Sequence, residues 1–210
     1  MKNKVLVFLM IFVMGILAGC GMKEEDAKAY VEASLDAAYK GEFDAFVEIT
    51  DSTPEGAAAM YEENIEHIME AAGFADLEIS EELTNNYKQL FLDLIRQADY
   101  SVGEAVKNED DSFAVEITVK PMTILVGIEE ELTNALLTRI GELEEFPSDE
   151  EIIQMSFEEM FTIMSERVDE PSYSDESSVV TVHLHKNEEN MYEIDEEDML
   201  TLDSMLFAVE

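Results

Sequence analysis

Two histidines separated by one residue, His183 and His185, have the most suggestive spacing in the 210-residue chain. On an extended strand alternate side chains share a face, so Thr181, His183 and His185 point one way and Val180, Val182 and Leu184 the other. Imidazoles bind zinc and copper, and Glu116 or Thr118 from a neighbouring strand could complete a metal site. The plainer reading is a half-exposed sheet face carrying ordinary polar residues. His67 stands at helical spacing from Glu63 and Glu70, as an exposed ion-paired histidine does. With 50 acidic residues, carboxylate pairs arise by chance and mark no acid–base chemistry. The chain has no Gly-x-Ser-x-Gly elbow, phosphate-binding glycine loop, His-Glu-x-x-His or Cys-x-x-Cys. The acidic turns from Asn108 to Ser112 and from Asn187 to Asn190 lack the central glycine and ligand spacing of a calcium loop. Met155, Met160, Met164, Met191, Met199 and Met205 read as core filling before they read as soft-metal ligands. No catalytic residue and no cofactor is expected from these patterns.

Cys20 is the single cysteine, so no disulfide can form within one chain. It follows a basic Met1-Lys2-Asn3-Lys4 and fourteen positions, Val5 to Ala18, that are all apolar or glycine. This is the layout of a secretory signal, and it is shorter than the roughly 20 residues a helix needs to span the hydrocarbon layer. The ending Leu17-Ala18-Gly19-Cys20 resembles the lipobox of bacterial lipoproteins. The resemblance implies cleavage between Gly19 and Cys20, a diacylglyceryl group on the Cys20 thiol, and a chain held by that lipid on the extracytoplasmic face of the membrane. Two acyl chains hold far more firmly than one.

Removing residues 1–19 leaves 191 residues with ten basic and 50 acidic side chains, a net charge of −40. That length suits one domain, read here as 24–210 behind a tether of 20–23. Hydrophobic residues make up 47% of the chain, enough for a core, so the acids must decorate a folded surface. Such a surface repels phosphate backbones, which excludes nucleic acid, and its self-repulsion favours a monomer. Lys23, Lys28 and Lys40 follow the anchor closely and are expected to lie against an anionic leaflet.

The elements that must position these residues are marked by period and punctuation. Acidic Glu24, Glu25 and Asp26 open a helix with the stripe Ala27, Tyr30, Val31, Leu35 and Ala38, ended by Lys40-Gly41. Helices follow over Phe43 to Ile49, from Pro54 to Gly73, and after Ser80, which caps the stripe Leu83, Tyr87, Leu90, Phe91 and Leu94. Alternation from Tyr100 to Val106 and from Phe113 to Val119 predicts a β-hairpin. A fifth helix carries Ile128, Leu132, Leu136, Ile140 and Leu143. Ser148 and Glu151 form a capping box for a sixth, with Ile153, Phe157, Met160, Phe161, Met164 and Val168 inward. A second hairpin over Val179 to Ile194 and a last helix capped by Asp195 complete the order. The expected class is α+β, with helices packed on an antiparallel sheet made from two hairpins. The similar turns at Lys107-Asn108-Glu109-Asp110 and Lys186-Asn187-Glu188-Glu189 raise a duplicated helix-helix-hairpin unit, 54–124 and 127–195, although turn chemistry alone explains them.

The stretch from Ala27 to Phe46, with Lys40-Gly41-Glu42 between two helices, resembles the opening of NTF2-like and cystatin-like lipoprotein domains. So does the alternating Ala114-Val115-Glu116-Ile117-Thr118-Val119. With the lipobox, the chain is similar to lipoproteins of clostridia and related Gram-positive bacteria in domain-of-unknown-function families. The resemblance implies helices against a curved antiparallel sheet and transfers no active-site residue. The leading expectation is a non-catalytic envelope module binding a small ligand or an envelope protein. The alternatives are a metal-dependent hydrolase built on His183 and His185, and a structural surface protein without a ligand.

Overall fold

The computed structural model describes residues 16–17, 21–71, 74, 79–188 and 190–208. Helix α1 (Glu24–Leu35) begins where the Lys23 amide donates to the Asp26 carboxylate at 3.0 Å. It runs into a π-helical turn, Asp36–Lys40, closed by Gly41 at φ 69°, a left-handed conformation that glycine takes without penalty. Helices α2 (Asp44–Thr50), α3 (Pro54–Ala71) and α4 (Glu81–Ile95) follow. Thr53 and Ser80 cap α3 and α4 as expected, their hydroxyls accepting from the Gly56 and Leu83 amides. Gly73, the expected end of α3, lies outside the described residues.

Strands β2 (Asp99–Lys107), β3 (Phe113–Lys120), β4 (Ser178–Lys186) and β5 (Met191–Ile194) form two hairpins joined through β3 and β4. A two-residue β1 (Ile16–Leu17) pairs with the outer edge of β5. The whole sheet is antiparallel, in the order β1-β5-β4-β3-β2. Along β3 burial alternates strictly: Phe113, Val115, Ile117 and Val119 are buried, whereas Glu116, Thr118 and Lys120 are exposed. Helix α1 packs on β2 and β3, and α7 (Glu196–Leu206) packs on β4 and β3. Both cover the apolar face and leave the other open. The architecture is α+β, helices on one face of an antiparallel sheet of two hairpins, as the periodicities predict.

Strand β2 departs from simple alternation. A bulge between Val102 and Ala105 inserts one extra residue, and a Cβ at Gly103 would stand 2.9 Å from the Glu116 carbonyl oxygen. Beyond the bulge the faces exchange, so Ala105 is buried and Val106 is turned outward.

Helix α6 (Asp149–Asp169) lies beside α4, where the Tyr87 hydroxyl donates to the Phe157 carbonyl at 2.6 Å. The Tyr87 ring meets Phe74, Phe157 and Phe161 edge-on at 4.7, 6.0 and 5.4 Å. Helix α5 (Ile128–Gly141) packs on α6 and buries no side chain fully. Its stripe Ile128, Leu132, Leu136 and Ile140 is only half-buried. Leu143, expected on that helix, falls beyond its end and is exposed, and Ile153, expected inward, is exposed too. The reason is that α5 packs on α6, which packs on α4, and among the described residues no strand makes a substantial contact with α5.

Candidate functional site

Gly19 and Cys20, the expected cleavage and lipidation residues, lie outside the described residues. Description resumes at Gly21, and Met22 already packs half-buried against the core. Between Cys20 and Glu24, the first residue of α1, at most about 14 Å of chain is available. The three lysines do not form one basic patch. Lys28 pairs with Glu104 at 2.7 Å, and Lys40 pairs with Asp36 at 2.8 Å while lying 4.5 Å from the Tyr100 ring centroid. Lys40 also stands 17 residues beyond Lys23, about 25 Å along a helical path. Lys23 alone stays exposed beside the tether.

The open sheet face holds Thr181 and His183, as the alternation predicts. Each histidine is engaged by its own carboxylate. His183 Nδ1 lies 2.7 Å from Asp198, which also accepts the His183 amide at 2.8 Å, and His185 Nε2 lies 3.2 Å from Glu193. Glu116 stands opposite Thr181 in the ladder, whereas His183 stands opposite Ala114. Among the described residues, no three histidine, cysteine or acidic side chains gather as a metal-binding group. His67 lies 3.9 Å from both Glu63 and Glu70, at the exposed surface expected for it.

A buried network that the sequence did not reveal joins α1 to α7. The π-helical turn brings the Tyr39 hydroxyl to the buried Asp203 carboxylate, to which it donates at 2.5 Å. Burial, reinforced by the negative charge of Asp203, pushes the Tyr39 hydroxyl well above its ordinary pKa. Alongside, Asp36 accepts from Lys40 at 2.8 Å and from the Tyr100 hydroxyl at 2.7 Å. Burial first, then the hydrogen bond to Asp36, holds Tyr100 protonated far into the alkaline range. The Tyr39 and Tyr100 rings tilt together at 5.7 Å. Single π-helical turns inside α-helices often occur at functional places, and here the extra residue brings Tyr39 under α7. One signal was readable: Asp203 sits in the apolar stripe of the last helix with Met199, Leu202 and Leu206.

At the far end of the α5–α6 pair the surface is apolar. Leu137 is 65% exposed, Leu143 46%, Phe146 80% and Ile153 44%. They belong to the last turns of α5, the connection, and the opening of α6. Around them Glu142, Glu144, Glu145, Asp149 and Glu150 are all exposed. Ser148 and Glu151 close the predicted capping box, Glu151 accepting the Ser148 amide at 2.7 Å, and this hydrogen bond first of all holds its carboxyl below the usual range. The connection is therefore a defined turn.

The fold defined by these elements has a solved counterpart. The chain is similar to YcdA of Bacillus subtilis, a protein designated a lipoprotein, at 16% identity and a TM-score of 0.60 over 87% of this chain. The match covers 56% of YcdA, so this chain spans a little over half its length. At that identity the likeness is one of fold. No family model and no curated protein matches the chain.

Proposed function

We propose that this chain is a lipid-anchored protein of the extracytoplasmic membrane face that acts as a non-catalytic binding module. The observation carrying the reading is Leu17-Ala18-Gly19-Cys20, which closes the apolar run Val5 to Ala18 and puts Cys20 four residues ahead of the first domain helix. Among the described residues no helix is long and apolar enough to cross a membrane, so the lipid would supply the hold. The designation of YcdA as a lipoprotein points the same way. The short tether would keep the domain close to the surface, and its acidic body would be repelled from anionic headgroups and face outward.

The test is fractionation of cells producing the wild-type chain and Cys20→Ala, with incorporation of labelled fatty acid read in parallel. The wild-type chain should take label and sediment with membranes, and Cys20→Ala should take none and lose its processed membrane form. Equal sedimentation of a processed Cys20→Ala chain would remove the anchor reading.

A further inference from the structure

We infer that the tip of the α5–α6 pair is a docking site for a basic amphipathic polypeptide segment, one with apolar side chains flanked by lysine or arginine. This names the partner for the binding-module reading and rests on it. Four large apolar side chains stand exposed within seventeen residues, Leu137 to Ile153, on a helix pair whose outer member buries no side chain fully. Exposed leucine and phenylalanine in one small region are what interface anchors look like before a partner covers them.

The occupant follows from charge. Five exposed acids, Glu142, Glu144, Glu145, Asp149 and Glu150, are interleaved in sequence with the apolar residues. From position 121 to position 166 the sequence has one basic residue, Arg139, and it is engaged by Glu158 at 2.7 Å and Glu159 at 2.9 Å. That stretch therefore offers no unpaired cation. A second copy would bring acid against acid, and an anionic leaflet would be repelled in the same way. A segment with lysines or arginines beside its apolar side chains satisfies both parts of the surface, and the long-range field of a chain of net charge −38 speeds its arrival.

The experiment uses the full lipidated chain in phosphatidylcholine nanodiscs, with empty discs as the blank. The probe is a synthetic helical peptide with a leucine face and lysine flanks, and its counterpart carries glutamate in place of lysine. Leu143→Ser with Phe146→Ser should weaken lysine-peptide binding about tenfold or more, while Val179→Ser, also exposed but on the open sheet face, leaves it unchanged. Glu144→Gln with Glu145→Gln should weaken it, whereas Glu55→Gln with Glu62→Gln on α3 should not. Equal loss from the α3 pair would show bulk attraction and overturn the site. Equal affinity for the glutamate peptide would overturn the partner chemistry. A concentration-dependent dimer dispersed by Phe146→Ser would assign the tip to a second copy and also overturn the proposal. Insertion into the discs reads the anchor separately, so a chain that inserts but does not bind sinks this inference alone.

Discussion

Helices α3 and α4, of 18 and 15 residues, and helices α5 and α6, of 14 and 21, each lead into a two-stranded antiparallel hairpin, yet the two pairs are used in opposite ways. The first pair buries Tyr61, Ile65, Ile68 and Met69 from one helix and Tyr87, Leu90, Phe91, Leu94 and Ile95 from the other. In the second pair α5 buries none, α6 buries Met155, Ile163, Met164 and Val168, and four large apolar residues at the tip face solvent. The same local grammar serves the core in one place and the surface in the other. What decides is the neighbour: α4 lies between α3 and α6, whereas α5 has α6 on one side only.

The largest effect that could break this contrast lies in the first pair. Ile65→Ala or Leu94→Ala, each at a fully buried position, should lower the unfolding free energy by about 2–5 kcal/mol. Leu137→Ser in α5 should change it by no more than about 0.5 kcal/mol. Urea titration with an unchanged denaturant slope checks both. If Leu137→Ser proved as costly as Leu94→Ala, the α5 face would be core and the tip would offer no docking surface.

A second contrast sets the fully buried Tyr39–Asp203 bond against the half-buried ion pairs of Arg139 on α5. Tyr39→Phe should cost about 1.5–3 kcal/mol, because it takes a hydrogen bond from a buried carboxylate. The pH dependence has a definite sign. Tyr39 has its pKa raised on folding, by burial above all, so its contribution is fully present below about pH 10 and is lost as pH rises through the folded value. Tyr39→Phe should therefore be less sensitive to alkali than the wild-type chain, as thermal melts between pH 8 and 11 would show. An identical alkaline decline in the variant would remove Tyr39 from the network's energetics.

Most of the fold was legible because its elements follow simple periods. Strict alternation from Phe113 to Val119 marks β3, the 3.6-residue stripe Tyr87, Leu90, Phe91 and Leu94 marks α4, and Ser80, Ser148 and Asp195 mark helix starts. What stayed hidden depends on which element lies beside which. Ile128, Leu132, Leu136 and Ile140 have a good helical stripe, but a stripe does not say how much lies against it. The bulge at Gly103 and the π-helical turn at Asp36–Lys40 each add a residue to a regular element, and the period gives no warning of either. His183 and His185 were read correctly as to strand, whereas their separate partners Asp198 and Glu193 come from α7 and β5, whose placement is tertiary. The proposal at Cys20 rests on local sequence alone, since a processing signal is read from sequence and not from fold.

The smallest effect concerns the hairpin turns, where the two halves agree. Asn108 donates to the Ser112 carbonyl at 2.8 Å and Asp111 to the Asn108 carbonyl at 3.2 Å; Asn187 and Asn190 repeat the pattern at 2.9 and 3.0 Å. Asp111 and Asn190 take φ of 67° and 61°, the left-handed region that Asp and Asn tolerate better than other non-glycine residues. Lys107 and Lys186 lie over the Phe113 and Tyr192 rings, which meet at 5.5 Å. Asp111→Ala and Asn190→Ala should therefore each cost about 1 kcal/mol, and the corresponding glycine variants should be close to neutral. Asp111 also pairs with Lys107 at 2.6 Å, but that pair is exposed and screened by solvent, so its loss adds little. A larger gap between the two alanine variants, measured by urea midpoints, would mean that the turns share a shape without sharing its energetic basis. A match would place the difference between the two regions outside their turns, above all in the helices, where α4 has a neighbour on each side and α5 does not.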